Sequence, residues 1–150
     1  MDMDWKKQTS QEIPLYPEQF MKFRIDRFAK LQASTGTEQL RWNCTCVEEG
    51  DYEGKPFIEH TALTETSLWR LANFVNAAGV DTTQLDTMKI GSEAFYRVLN
   101  AVKGRLVTFD LYVDVYDGKK RSKVRGYYEV PGQDPVDVGE SLEEVPDWVK

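Results

Sequence analysis

One alternating segment followed by a tight turn constrains the fold of this sequence more than any other feature. Between residues 105 and 116 an apolar side chain occupies every second position. These inward positions are Val107, Phe109, Leu111, Val113 and Val115. A period of two in β-branched and aromatic residues predicts a strand with one buried face. Asp117-Gly118 follows, and this dipeptide accepts the positive φ angles of a hairpin turn, so we expect residues 120–130 to return as an antiparallel strand.

Three more strands are predicted upstream of this hairpin. Residues 39–47 alternate in the same way. Their inward positions are Leu40, Trp42, Cys44 and Cys46. Trp42 is therefore expected in the core rather than on a binding surface. A turn-rich segment leads to a third strand over residues 57–63. Residues 20–31 fit either a strand or one side of a helix, and we favour a strand because residues 33–37 form a natural hairpin loop into the next strand.

Two helices are predicted between the third and fourth strands. Capping hydroxyl residues are followed by apolar residues at helical spacing until Gly79, which predicts a helix over residues 65–78. We expect Trp69 to pack this helix against the sheet. A second short helix is predicted between Ser92 and Gly104.

The predicted elements come in the order of three strands, a helical insert and two strands. This is the order of the OB-fold, a small barrel that binds oligonucleotides. We therefore predict a mainly β fold, a five-stranded OB-like antiparallel barrel with a helical insert between strands 3 and 4. Residues 1–133 would form this domain. Residues 134–150 would form a disordered acidic C-terminal tail, because they contain too few apolar side chains to pack.

Charge is distributed unevenly along the chain. The formal net charge is −6, which as an average argues against binding to nucleic acid. However, residues 134–150 contain six acidic residues and one lysine, so most of the negative charge belongs to the tail. Five cations stand in the seven positions from Lys119 to Arg125. The sequence thus describes a nearly neutral body with a basic hairpin and an acidic tail.

The basic hairpin also carries aromatic residues, and this combination predicts a surface for single-stranded DNA. Single strands are bound by cations that follow the backbone and by aromatic rings on which bases stack. Tyr112 and Tyr116 are expected on the polar face of the fourth strand, and Lys123, Arg125 and Tyr127 on one face of the fifth. A second set comes from the second and third strands and their loop. The candidate DNA-binding residues are Arg41, Tyr52, Lys55, Phe57, Tyr112, Tyr116, Lys119, Lys120, Arg121, Lys123, Arg125 and Tyr127.

Simpler interpretations of the same residues stay open. Exposed tyrosines on strands also serve cross-strand packing. A basic hairpin can be a solvated edge on which lysines prevent aggregation.

The sequence offers few residues for catalysis or metal binding. Cys44 and Cys46 lie two positions apart on one strand, and His60 is the single histidine. A zinc site normally has four ligands, and there is no second cysteine pair, so we interpret the cysteines as buried thiols. Neither a phosphate-binding glycine loop nor a nucleophile elbow is present. We therefore expect no enzyme activity, no cofactor and no metal.

The C-terminal tail has the composition of a short docking motif, with apolar residues among acids at its end. Its candidate partner-binding residues are Glu143, Glu144, Asp147 and Trp148. Such a tail can recruit replication or recombination proteins, or occupy the basic groove of its own protein in competition with DNA. A merely solubilising tail is the alternative.

Short segments over residues 1–130 match the pattern of a known family. They are Asp4-Trp5, the turn from Gly50 to Phe57, Leu63-Thr64 with residues 68–71, the helix end from Ala77 to Asp81, and Lys103-Gly104-Arg105. In these segments the chain resembles the bacteriophage family catalogued as a domain of unknown function, DUF669, which is often associated with replication and recombination modules. The resemblance implies a phage single-stranded DNA-binding protein. The terminal Trp148-Val149-Lys150 departs from the terminal phenylalanine of bacterial single-strand-binding proteins.

Composition also bears on location and on competing functions. No apolar stretch approaches the roughly 20 residues of a membrane span, so we expect no membrane partner and a cytoplasmic protein, in the host cell if phage-encoded. A homodimer is one assembly that remains open. The main alternative function is a phage protein-interaction or DNA-mimic factor that does not bind DNA.

Overall fold

The computed structural model describes residues 13–32, 36–83, 85 and 88–136. Five strands and two helices make up this part of the chain. They are β1 (Phe20–Gln32), β2 (Glu38–Cys46), β3 (Pro56–Ala62), α1 (Leu68–Ala77), α2 (Glu93–Asn100), β4 (Leu106–Tyr116) and β5 (Lys119–Tyr128). A short 3₁₀ turn, Glu65–Ser67, precedes α1. Every strand predicted from the sequence is present, including the ambiguous first one.

The five strands form one antiparallel sheet in the order β3-β2-β1-β4-β5. Both helices lie between β3 and β4 in the chain. The predicted mainly β fold with a helical insert between strands 3 and 4 is therefore confirmed. β3 and β5 are the two edge strands, and the strand pairings of the described residues include no ladder between them.

The β4–β5 hairpin follows from its turn residues. Asp117 and Gly118 have φ angles of 54° and 77°, the positive values that a two-residue type I′ turn requires at both central positions. Further along the hairpin, Asp110 pairs with Gly126 and Leu111 with Val124, which leaves Arg125 unopposed as a β-bulge. Because a bulge adds one residue to one strand only, the alternation of β5 changes face at Arg125.

The core lies between the inner face of the sheet and the two helices. Phe23, Phe57 and Phe109 pack together there with ring centroids 4.9–5.8 Å apart. Trp42 is fully buried, and its indole Nε1 donates a hydrogen bond of 2.9 Å to Thr61 Oγ1. The expectation that Trp42 belongs to the core is confirmed.

The helices lie where the sequence predicts them, except that residues 65–67, predicted as the first turn of the first helix, form the 3₁₀ turn. The Ser92 hydroxyl accepts a hydrogen bond from the Phe95 amide and caps α2. α1 ends at Ala77, and Gly79 follows with a φ angle of 85°. The prediction for Trp69 is wrong, since its side chain is 64% exposed. α1 packs instead through Leu71, Phe74, Val75 and Ala77, which form the opposite stripe of the helix.

After β5 the chain turns back towards the end of α1. Val136 accepts a hydrogen bond from the Asp81 amide and donates one of 2.8 Å to the Gly79 carbonyl oxygen. These two bonds form an isolated parallel bridge between Val136 and Val80. Residues 137–150, the greater part of the predicted tail, lie outside the described residues. No helix in the described part of the chain is long and apolar enough to cross a membrane.

Candidate nucleic-acid interface

The β4–β5 hairpin extends beyond the sheet. β1 pairs with β4 only as far as Asp110, so the later residues of β4 have β5 as their one neighbouring strand. Leu111 is 1% exposed, whereas Val115 is 61% exposed. The expectation that Val115 faces a buried surface is therefore wrong, because no core extends that far. We call residues 113–122 the hairpin arm.

The basic residues predicted on the hairpin are all exposed. They are Lys119, Lys120, Arg121, Lys123 and Arg125. Lys123 Nζ lies 3.6 Å from Asp114, and Arg125 Nε lies 3.8 Å from Asp110. Within the part of the chain that the structure describes, the three cations nearest the turn have no carboxylate partner.

Two tyrosines of the outer hairpin face are covered by arginines. The Arg121 guanidinium carbon lies 5.7 Å from the Tyr116 ring centroid, and Arg125 lies 4.9 Å from that of Tyr112. These are cation–π distances. Tyr116 is 67% exposed, so its ring contributes little to the packed core. Ring and guanidinium planes together provide flat surfaces on which nucleobases stack.

A cleft of about 770 Å³ lies between the edge strands β3 and β5. Ile58 and His60 line it from β3, and Lys120, Arg121 and Lys123 line it from β5. Residues 13–15 and Tyr112 complete part of its wall. We call this space the edge cleft. The hairpin cations therefore border a concave space rather than an isolated surface.

Beneath the edge cleft, three side chains connect β3, α1 and β5. Arg70 donates hydrogen bonds to the Glu59 carboxylate, at 3.1 Å, and to the Val124 carbonyl oxygen, at 2.9 Å. The Tyr127 hydroxyl also donates to Glu59. Glu59 is 7% exposed, and its burial raises the pKa of the carboxyl group, although the two donors oppose this shift. This polar cluster joins the two edge strands.

The prediction that Tyr127 shares a face with Lys123 and Arg125 is wrong. The bulge at Arg125 shifts the alternation by one residue, so Tyr127 pairs with the inward-facing Phe109. Its ring packs against Phe74 and Phe109 at centroid distances of 5.0 and 5.7 Å. Tyr127 therefore stabilises the fold and offers no free ring face comparable to that of Tyr116.

Phe57, a predicted binding residue, is buried and exposes no ring face to a base. It is 1% exposed because Phe57, Glu59 and Thr61 form the inward alternation of β3. In the preceding loop, the ring of Tyr52 lies 5.0 Å from that of the buried Tyr16 and is half-buried. Lys55 is exposed on the same loop, away from the lining of the edge cleft.

Arg41 lies on the outward face of β2, directly opposite His60 on β3. Burial and the positive charge of Arg41 lower the pKa of His60. The Nε of Arg41 is buried and has no hydrogen-bond partner among the described residues. This pair extends the polar rim of the edge cleft onto the outer face of β2 and β3.

The two cysteines are free, buried thiols, as expected. Burial raises the pKa of both Cys44 and Cys46. His60 points to the opposite face of the sheet, which separates it from these sulfur atoms. The described residues contain no group of histidine, cysteine and carboxylate side chains that could hold a metal ion.

Other exposed aromatics were not predicted as site residues. Trp69 and Tyr128 line a groove between α1 and β5, and Phe20 packs beside Tyr128 at a ring distance of 5.2 Å. The sequence contained a signal for Trp69, since it lies off the apolar stripe of α1. The predicted partner-binding residues Glu143, Glu144, Asp147 and Trp148 lie outside the described residues.

Comparison with models of known protein families gave no match, and comparison with curated proteins gave none either.

Proposed function

We propose that this protein binds single-stranded DNA without catalysis and with little sequence preference. The observation that carries the proposal is the position of Lys120 and Arg121, which line the edge cleft together with Tyr112. With the adjacent Lys119, they have no carboxylate partner among the described residues, and Arg121 lies over the ring of Tyr116. Phosphates would contact the cations, and bases would stack on the tyrosine and guanidinium planes. The resemblance to DUF669 supports a place in phage replication or recombination.

The composition of the surface supports weak sequence preference. Sequence is read mainly by hydrogen bonds to base edges, whereas cations and ring faces accept any base. The hairpin arm offers Tyr116, Lys119, Lys120 and Arg121, whose side chains fit the second kind of contact. OB-folds use their strand 2–3 face and the loop between strands 4 and 5 for oligonucleotides, and the edge cleft lies between these regions.

The acidic tail fits this function in two ways. It can recruit replication or recombination proteins through Glu143, Glu144, Asp147 and Trp148, or compete with DNA for the hairpin cations. Both roles use the negative charge of the tail. Removal of residues 137–150 should raise DNA affinity only if the tail competes with DNA.

A fluorescence titration with labelled oligo-dT at low salt tests the proposal. We expect saturable binding by the full chain that weakens steeply as salt is added, because each neutralised phosphate releases counterions. A duplex of the same length should bind more weakly, since its bases are not free to stack. Absence of oligo-dT binding by both the full chain and a form lacking residues 137–150 would favour the alternative, a protein-interaction or DNA-mimic factor.

A further inference from the structure

The groove between α1 and β5 has a surface suited to bases, although the sequence suggested only Arg125 and Tyr127 of its lining as binding residues. It encloses about 300 Å³. Trp69, Asn73 and Asn76 line it from α1, and Arg125, Gly126 and Tyr128 from β5. We call it the helix groove. Trp69, Asn73 and Asn76 share one stripe of α1 because they are four and seven positions apart.

The aromatic rings of the helix groove are open to solvent. Trp69 is 64% exposed and Tyr128 is 48% exposed. Gly126 permits the position of Tyr128, since a Cβ at residue 126 would lie 3.2 Å from the Tyr128 hydroxyl oxygen. Two large rings exposed beside one groove are unusual unless they meet a ligand or partner.

The lining of the helix groove contains two arginines and no carboxylate of the described residues. Arg70 is paired with the buried Glu59 and Arg125 Nε lies 3.8 Å from Asp110, so the exposed Arg125 is the better placed of the two to meet a phosphate. Asn73 and Asn76 add amide groups that can hydrogen-bond to any base or phosphate. Rings, arginines and amides together are typical of a surface for single-stranded nucleic acid rather than for an apolar peptide.

The helix groove and the edge cleft share one lining residue and are linked by one further side-chain contact. Arg70 lines both spaces. Arg125 lines the helix groove, and its guanidinium lies over the ring of Tyr112, which lines the edge cleft. A strand that leaves the edge cleft over Tyr112 and Arg125 would therefore reach Trp69 and Tyr128.

We propose that the helix groove is a second base-stacking subsite for the same DNA strand, in which Trp69 and Tyr128 bind bases and Arg125 binds the intervening phosphate. This inference rests on the proposed function. It extends the interface from the hairpin arm across β5 to α1, and it assigns a binding role to Trp69 and Tyr128.

The test compares Trp69→Ala and Tyr128→Ala with the wild type on two labelled probes, oligo-dT and an abasic strand of equal length. Each substitution should weaken oligo-dT binding roughly tenfold through lost stacking. Binding to the abasic strand, and the salt dependence of oligo-dT binding, should not change because no charge is removed. Trp69→Phe should retain most of the affinity, and Lys103→Ala, at an exposed site outside both clefts, should behave as wild type.

The outcomes separate this inference from the proposed function. If the wild type binds oligo-dT and both alanine variants bind it equally well, the subsite is excluded while the proposed binding at the edge cleft remains. If the wild type does not bind oligo-dT, the proposed function fails and the subsite with it. If the variants lose affinity only for a peptide of residues 137–150, the helix groove is a dock for the tail and the inference is overturned.

Discussion

The hydroxyl group of Tyr127 donates a hydrogen bond to the carboxylate of Glu59, and this bond joins β5 to β3 across the open edge of the sheet. Arg70 reinforces the connection from α1, because its guanidinium donates to Glu59 and lies 5.0 Å from the Tyr127 ring centroid. A buried carboxylate is stable only where donors replace its lost water. The spacing of the edge cleft thus depends on three side chains that are bonded to one another within the protein.

Replacing Glu59 should destabilise the fold in a graded manner. Glu59→Ala leaves the Tyr127 hydroxyl without an acceptor and removes the ionic partner of Arg70, so we expect a loss of about 2–3 kcal/mol in the free energy of unfolding. Glu59→Gln keeps an acceptor and should cost less. Glu53→Gln, at an exposed loop position, is the matched control. Chemical denaturation measures all three, and equal stabilities would show that the cluster does not hold the edges together.

The same carboxyl group should give stability a specific pH dependence. Burial raises the pKa of folded Glu59 above the ordinary value of 4.5. The stabilisation of the folded state by protonated Glu59 is therefore fully present below the ordinary pKa. It is lost as the pH rises through the raised pKa of the folded state, because folding must then bury a charged carboxylate. Between pH 4 and pH 7, the melting temperature of the wild type should therefore fall relative to that of Glu59→Gln. A constant difference over that range contradicts the prediction.

Replacement of Phe57 should mainly lower the stability of the fold, whereas replacement of Tyr116 should mainly weaken DNA binding. Phe57→Ala removes a buried ring and should cost about 3–5 kcal/mol of unfolding free energy. Tyr116→Ala removes an exposed ring, so its melting temperature should stay near that of the wild type while oligo-dT binds several-fold more weakly. Thermal unfolding and the oligo-dT titration measure the two effects. A large loss of stability in Tyr116→Ala would indicate cross-strand packing instead of base stacking.

His60 should make DNA binding tighter in acid. Burial and the neighbouring Arg41 lower its pKa, so the imidazole is neutral near pH 7 and gains a proton only below its ordinary value of 6.5. Protonation adds a positive charge at the rim of the edge cleft and should increase oligo-dT affinity as the pH falls towards 5. His60→Asn should lack this increase, and an identical pH profile in both proteins would exclude His60 as its source.

Removal of residues 137–150 should tighten oligo-dT binding several-fold at low salt. This deletion eliminates five acidic residues and Lys150 but retains Val136, which is hydrogen-bonded to the body. A scrambled tail of the same composition separates charge from sequence, since competition by charge alone should survive scrambling. Unchanged affinity after deletion would mean that the tail does not compete with DNA.

Local patterns predicted the elements of the fold because each depends on nearby residues. The alternation from Val107 to Leu111, the Asp117-Gly118 turn and the Ser92 cap have the structures that their sequences predict. The alternation fails where tertiary context takes over. Gly126 is an isolated glycine in the strand and is typical of a bulge, but its effect on Tyr127 depends on the pairing with β4, where the one extra residue turns Tyr127 inward.

The exposure of individual side chains at the candidate site was predicted less well than the strands and helices. The reason is that exposure depends on where neighbouring strands and helices end. Val115 continues a buried alternation in sequence, but β1 no longer accompanies β4 at that point. Phe57 was predicted to bind DNA because it lies close to Lys55 in the sequence, although its place in the alternation of β3 points inward. Trp69 was expected to pack against the sheet, but α1 buries the stripe of Leu71, Phe74 and Val75. A helical projection of the sequence places Trp69 on a different side of the helix from this stripe.

The most direct test of DNA binding by the hairpin arm is the salt dependence of oligo-dT affinity in a variant that carries Lys119→Ala, Lys120→Ala and Arg121→Ala. Each lost phosphate contact lowers the slope of log affinity against log salt by about 0.7 for single strands, so we predict a slope shallower by about 2 and weaker binding at low salt. A control variant with Lys89→Ala, Arg97→Ala and Lys103→Ala removes the same charge from exposed positions elsewhere and should keep the wild-type slope. Equal slopes in the wild type and both variants would contradict DNA binding at the hairpin arm.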